Sequence, residues 1–354
     1  MKFALIGPPQ SGKTTLFSAI TGQTVDPSHA MSEQLASVSV PDERLDFLSD
    51  IYKPKKYTPA QIEFVDIPGA SLADAHGQAE FRKRMQSARK CDGIVMVVRD
   101  FESDSVIQYR DRINARADLD ELFTEFLFAD LEQVVNRIEK LEKSTQKPTK
   151  TRDQELRELA MMIRVREALE NEAPVSSAIQ NDDERRIAGS FGFLTLKPVM
   201  VVINVGEDKV AAEPPFVHSH ALATIAMSAS IEADIAQLEP EDRKTFLEDL
   251  GLTAPARTRL LRTAYNAVGL MSFLTAGEDE VRAWTIRTGT EAVEAAGKIH
   301  SDIQRGFIRA EIVAFEDFRK AGDMRAAKNA NCVRLEPKHY IVQDGDIINF
   351  RFNV

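Results

Sequence analysis

The 354-residue chain reads as an α/β protein with two additions, an inserted antiparallel helical hairpin and a small α+β module at its C-terminal end. Three observations predict this. Short β-branched apolar runs alternate with helical segments in two stretches, the pattern of a parallel sheet covered on both faces. Between about residues 102 and 190 those runs give way to apolar stripes at three- and four-residue spacing. From about Met271 the texture becomes short strands with frequent turns. The expected division is therefore 1–101 with 191–270 for the sheet domain, 102–190 for the helical insertion and 271–354 for the terminal module.

Taken in order, Phe3-Ala4-Leu5-Ile6 is a buried strand that runs into Gly-Pro-Pro, and Thr14 to Ala19 opens a helix. Ile62 to Asp66, Gly93 to Val98 and Pro198 to Ile203 are further apolar strands. Leu119, Leu122, Phe123, Phe126, Leu131, Val134, Ile138 and Leu141 share one stripe of a long helix, and Leu156, Leu159, Ile163 and Leu169 form a weaker second stripe. The polar, proline-containing connection Ser144 to Thr151 joins them as a hairpin. From Asn136 to Arg152 six Lys or Arg stand against two Glu, which suits either a phosphate-facing patch or an ordinary solvated turn. Val281 to Arg287, Ile308 to Val313 and Ile347 to Phe352 are the terminal strands, with Asp344-Gly345-Asp346 as a turn before the last. Trp284 is expected in the core of this module.

Composition narrows the function. Apolar residues at 43% and charged residues at 28% are ordinary globular values, so a disordered or collagen-like chain is excluded. A formal charge of −10 excludes a globally basic DNA binder, and any grip on RNA must be local. Met271 to Val354 carries 12 Lys/Arg and 13 Asp/Glu, so the terminal module is not a basic surface either. Cys91 and Cys332 have no zinc-ligand or C-x-x-C spacing, and both are expected as buried thiols of a reducing compartment. No apolar stretch approaches the roughly 20 residues that span a bilayer, and the start of the chain lacks a signal-peptide pattern. A cytoplasmic protein without DNA or membrane partners, monomeric by default, is the expectation.

Chemistry enters at Gly7-Pro8-Pro9-Gln10-Ser11-Gly12-Lys13-Thr14, which satisfies G-x-x-x-x-G-K-[ST] between a strand and a helix. Its backbone N–H groups can wrap a β-phosphate, Lys13 can reach the β- and γ-oxygens, and the Thr14 hydroxyl can face Mg²⁺. Thr15 completes the contact set. Asp66-Ile67-Pro68-Gly69 ends the next apolar strand as D-x-x-G. In switch NTPases such an Asp supports Mg²⁺ and such a Gly N–H senses the γ-phosphate, so Lys13, Asp66 and Gly69 are the catalytic candidates and Thr14 and Asp66 the metal candidates. Asn204-Val205-Gly206-Glu207 stands where a guanine-specific protein carries N-K-x-D. Glu207 is one methylene longer than that Asp and the Lys is missing, so guanine selectivity is not secured. Ser228 and Ala229, after the strand Thr224 to Met227, fit the last base-contacting loop.

These residues together resemble the YchF or Obg-like ATPase family of P-loop NTPases. The likeness covers essentially the whole chain and rests also on Val40-Pro41-Asp42-Glu43-Arg44-Leu45, Phe193 to Pro198, Ile231 to Ile235, Gly306 to Glu311 and Tyr340 to Asp346. It implies a G domain, an inserted antiparallel helical coiled coil and a C-terminal TGS domain of β-grasp type. It implies Mg²⁺ with ATP in preference to GTP, and association with the ribosome or its RNA.

Departures from the family gather around the γ-phosphate. The family's P-loop Asn, the residue type that supports potassium, is Gln10 here, which leaves potassium dependence in doubt. After D-x-x-G the bulky residue of the family is Ala70, and the family's switch I Thr has only Ser28 or Ser32 as stand-ins. The histidine of the loop after Val97-Val98-Arg99 aligns with Gln108, which can position water but cannot act as a general base. His76 is the one titratable alternative in switch II. Three functions follow in order: a slow ATP-hydrolysing switch, a GTPase of the same family, and a nucleotide-gated binding module with negligible hydrolysis.

Overall fold

A computed structural model describes residues 1–23 and 32–353, and the chain divides into two compact units, Met1–Ala36 with Glu63–Arg257 and Ser37–Ile62 with Thr258–Val354. In chain order the first strands are β1 (Lys2–Ile6), β2 (Gln34–Ser39), β3 (Lys56–Thr58), β4 (Gln61–Asp66), β5 (Gly93–Asp100), β6 (Val199–Val205) and β7 (Ala223–Met227). β8 (Leu270–Ala276), β9 (Glu280–Arg287), β10 (Phe307–Ala314), β11 (Arg334–Glu336) and β12 (Asp346–Phe352) follow. Helices of the first unit are α1 (Lys13–Thr21), α3 (Ala75–Arg89), α4 (Ala115–Ser144), α5 (Arg152–Glu170), α6 (Asp182–Phe191) and α7 (Ala229–Gln237), while α2 (Glu43–Tyr52) belongs to the second.

The first sheet has the order β2-β4-β1-β5-β6-β7, and the pairs β1–β4, β1–β5, β5–β6 and β6–β7 are parallel. β6 is buried along its whole length and β5 at all but its last residue, which is why both are unbroken apolar runs. One apolar cluster joins Ile94, Met96 and Val98 of β5 to Phe81 and Met85 of α3, Leu119 to Leu141 of α4 and Met161 to Val165 of α5. The helical insertion therefore shares a core with the sheet. Seven of the eight residues expected on the α4 stripe are buried, with Leu131 packed at its margin. On the α5 stripe Leu169 is buried and Leu159 and Ile163 pack against the same core, while Leu156 is exposed, and Met161, Met162 and Val165 supply the rest of the buried face. Arg137 of α4 donates to both carboxylate oxygens of Glu158 of α5, at 2.6 and 2.9 Å, and this bidentate pair fixes the hairpin register.

In the second unit the sheet order is β11-β10-β12-β8-β9-β3. Its core holds Phe273, Ile286, Ile312, Ile348 and Phe350 against the helix Ala292–Ile299, and Trp284 packs on it with its ring 6.2 Å from that of Phe273. Segment 37–62, inside the span expected in the sheet domain, is held here by contacts with residues far along the chain. β3 pairs parallel with β9, Phe47 and Tyr52 of α2 meet the rings of Phe315 and Phe318, and Arg44 bridges Asp42 and Asp344 at 2.8 Å each. The motifs Val40 to Leu45 and Tyr340 to Asp346 thus meet at one guanidinium.

Cys91 is buried, and burial pushes its thiol up to about 11. Cys332 is only half-buried, correcting the expectation of two buried thiols; it stands in the loop after the short helix Met324–Asn329. Among the described residues no helix is long and apolar enough to cross a membrane.

The attachment of the insertion depends on Asp130, which is fully buried. Its carboxylate accepts from Arg89 at 2.8 Å, from the N–H of Leu194 at 3.0 Å and Thr195 at 2.8 Å, and from the Thr195 hydroxyl at 2.9 Å. Asp130→Ala takes the carboxylate from the Arg89 guanidinium, which keeps only its bonds to the Gly192 and Ala129 carbonyls, and leaves two buried N–H groups unpaired, and should cost about 3–5 kcal/mol in denaturant unfolding.

Candidate nucleotide-binding site

β1 ends at Ile6, and the chain turns through Gly7 to Gly12 before α1 begins at Lys13. Two residues of this loop take left-handed backbone, Gln10 at φ 63° and Gly12 at φ 84°. Only glycine suits the second, because a Cβ there would lie 2.0 Å from Asn204 Nδ2. At Gly7 a Cβ would lie 2.3 Å from the Val97 carbonyl oxygen, so the loop also hugs the end of β5. The unpaired N–H groups and dipole at the start of α1 then favour an anion.

The reactive side chains converge on Asp66 at the end of β4. Thr14 Oγ1 donates to Asp66 Oδ2 at 2.8 Å, and Lys13 Nζ lies 3.4 Å from Asp66 Oδ1. Lys13 and Asp66 are only 7% and 5% exposed. That second contact lacks hydrogen-bond geometry, which leaves Asp66 Oδ1 buried without a donor, as is Ser11 Oγ. An orphaned carboxylate oxygen beside a threonine hydroxyl is a donor set that fits a hard divalent cation. Gly69 lies against the phosphate loop: a Cβ on it would be 3.0 Å from Gly7 O and 3.1 Å from Pro9 N. Its own carbonyl accepts from Arg84 at 2.7 Å.

The other wall of the cleft is built by β6 and α7. Asn204 is buried, its Nδ2 donates to the Ser11 carbonyl at 3.0 Å, and its Oδ1 accepts from the Ala229 N–H at 2.9 Å. This amide is engaged at both ends, so it ties the phosphate loop to the start of α7. Val205 is buried beside it, and Glu207 is the exposed carboxylate of the segment. Ser228 is buried with its hydroxyl 2.9 Å from that of Ser230. A cavity of about 390 Å³ is lined by Gly12, Thr15, Phe101, Asn204, Glu207 and Ala229. A second recess runs along Gln10 to Thr15 and shares Gly12, Thr15, Phe101 and Val106 with the first. Every site residue read from sequence therefore lies at or next to this cleft, except Gly69 and Asp66, which close its phosphate end.

Sequence reasoning missed the roof. Phe101 lines both recesses, and Arg99 holds its loop by donating to the carbonyls of Phe101 at 2.9 Å, Val106 at 3.2 Å and Ile107 at 3.1 Å. The Arg99 guanidinium is buried, sits 4.4 Å from the Phe101 ring centre and meets no carboxylate among the described residues, so burial lowers its pKa. The available signal was a charge at the end of an otherwise apolar strand, which must find partners. Gln108 and His76 are both exposed, and Ser28 lies outside the described residues.

Because Asn204 satisfies groups in both the loop and α7, Asn204→Ala should destabilise the fold by about 2–3 kcal/mol. It should also weaken nucleotide affinity, as read by denaturant titration and calorimetry on the same preparation.

Comparison with known proteins agrees with this geometry. A family model described as a 50S ribosome-binding GTPase matches residues 2–137, and a YchF-type C-terminal model, described as a protein of unknown function (DUF933), matches residues 270–353. The chain is 38% identical to the ribosome-binding ATPase YchF of Haemophilus influenzae, covering 100% of this chain and 99% of that one. It is 33% identical to Obg-like ATPase 1 of Bos taurus, covering 100% and 92% respectively. The solved structure of the Schizosaccharomyces pombe YchF GTPase superposes with a TM-score of 0.86 at 30% identity, over 99% of this chain and 97% of that one. The chain belongs to the YchF and Obg-like ATPase family of P-loop NTPases.

Proposed function

We propose that the chain is a nucleotide-dependent switch that binds and slowly hydrolyses ATP and associates with the ribosome in the cytoplasm. The observation that carries this reading is the convergence of Lys13, Thr14 and Asp66 beside the glycine loop, with Gly69 packed on the same loop. Lys13 reaches the phosphates, the N–H groups of Gly7 to Thr15 cradle them, and Gly69 reads the γ-phosphate. Thr14 and Asp66 would hold Mg²⁺, which supplies charge neutralisation on the phosphate oxygens. The base lies in the cavity between Phe101 and the Val205–Glu207 segment, with Ser228 and Ala229 behind it. The division of labour in this reading is between the spans 1–101 with 191–270, 102–190 and 271–354, with segments 37–62 and 258–270 grouped with the last, and the names of the relatives support the ribosome as target.

Slow turnover follows from what the phosphate end lacks among the described residues. Gln108 and His76 are exposed side chains that make no described bond into the site. A water-orienting group or an arginine finger is worth about 10³–10⁵ in rate, so hydrolysis should depend on a partner to supply it.

Titration of the nucleotide-free protein with non-hydrolysable ATP and GTP analogues in Mg²⁺ tests the base reading. A preference for the ATP analogue is expected, and a preference for GTP would make the chain a GTPase instead. Lys13→Ala should weaken either analogue by about 10- to 100-fold and reduce ribosome co-sedimentation. Unchanged affinity in that variant would remove the proposed site.

A further inference from the structure

Four side chains grip the backbone that follows D-x-x-G. Arg84 holds the Gly69 carbonyl, Tyr109 Oη accepts the Leu72 N–H at 3.0 Å, and Arg110 donates to the Leu72 carbonyl at 3.1 Å, with Gln78 on the same oxygen at 3.4 Å. Leu72 itself is buried, so the grip closes on a residue packed into the core. Tyr109 and Arg110 do not act alone. The Tyr109 hydroxyl donates to Glu121 Oε2 at 3.4 Å, and the Arg110 guanidinium bonds Glu121 Oε1. Glu121 belongs to the second turn of α4, whose first turn is capped by Asn114.

The loop that makes this connection is under strain. Arg110 and Asp111 are successive non-glycine residues at φ 54° and 52°, a left-handed pair that L side chains disfavour. Such geometry persists where surrounding contacts over-determine it, and its contacts here are Leu72 on one side and Glu121 on the other. If Gly69 moves when a γ-phosphate is present, Leu72 moves with it, and the strained loop loses the contacts that hold it. α4 runs on for 30 residues into the helical insertion, so a change at its second turn reaches the hairpin.

We infer that Tyr109, Arg110 and Glu121 are positioning residues that couple the segment after Gly69 to α4, and through it to the inserted hairpin. This rests on the nucleotide-switch reading above. No carboxylate, hydroxyl or guanidinium of the trio needs to touch nucleotide: each acts through the Leu72 backbone.

Hydrogen exchange read by mass spectrometry tests it on the full chain, with and without a non-hydrolysable ATP analogue and Mg²⁺. In the wild type the analogue should change protection both at 69–77 and at 115–124. Glu121→Ala should bind the analogue within about twofold of wild type and keep the response at 69–77, yet lose most of the response at 115–124. Tyr109→Phe should lose part of it, and Glu121→Gln, which keeps an acceptor for Arg110, should restore part of it. A full α4 response in Glu121→Ala and Tyr109→Phe overturns the coupling while leaving the switch reading intact. An analogue that fails to bind the wild type removes the switch reading, and the coupling falls with it.

Discussion

The phosphate end of the site is organised by one buried charge, the Asp66 carboxylate, with Lys13 and Thr14 folded onto it. Without a phosphate to neutralise, a lysine this deeply buried needs an anion, and Asp66 at 5% exposure needs a cation. Each therefore keeps the other in place. The arrangement presets the loop in a nearly competent shape, and it also sets a competition: an incoming triphosphate must draw Lys13 away from Asp66, and a divalent cation is the natural replacement partner for the carboxylate. Nucleotide and metal binding are thereby linked through a single residue.

The rest of the first unit keeps that pair aligned. Gly12 lets Asn204 approach closely enough to bond Ser11, and Asn204 passes the constraint to α7 through Ala229. Arg99 does the same on the roof side, trading a buried charge for three backbone carbonyls and an aromatic face. Asp130 ties the middle of α4 to the turn before β6. Asp130 at the middle of α4 and Glu121 in its second turn thus hold the helix at two points, and the distal hairpin lies beyond both.

Much of this was legible from the chain, for physical reasons. Strands buried on both faces are apolar nearly throughout, so β1, β5 and β6 announce themselves, β4 shows the same through Ile62, Phe64 and Val65, and the glycine loop is a contiguous covalent pattern. β2, with only Ala36 buried, and the three-residue β3 and β11 have no such run. The membership of 37–62 in the second unit depends on pairings such as Thr58 with Glu280, more than two hundred residues apart, for which no local pattern exists. In α5 the leucine pattern gave only part of the buried face, because Met161 and Met162 fill the core beside Leu169 while Leu156 stays exposed. The clasp around Leu72 was invisible for a different reason: the groups that Tyr109 and Arg110 grip are the backbone N–H and carbonyl of Leu72, which every residue carries.

The account turns on Asp66 competing with nucleotide for Lys13, and nucleotide binding to Asp66→Asn in the presence of a chelator tests that most directly. The amide keeps the shape and an acceptor for Thr14 but gives up the charge. With no free metal, the variant should bind nucleoside triphosphate on the order of 10-fold more tightly than the wild type, and it should gain little when Mg²⁺ is restored. Weaker binding by the variant in chelator would contradict the competition and make Asp66 a residue that supports the phosphates without metal.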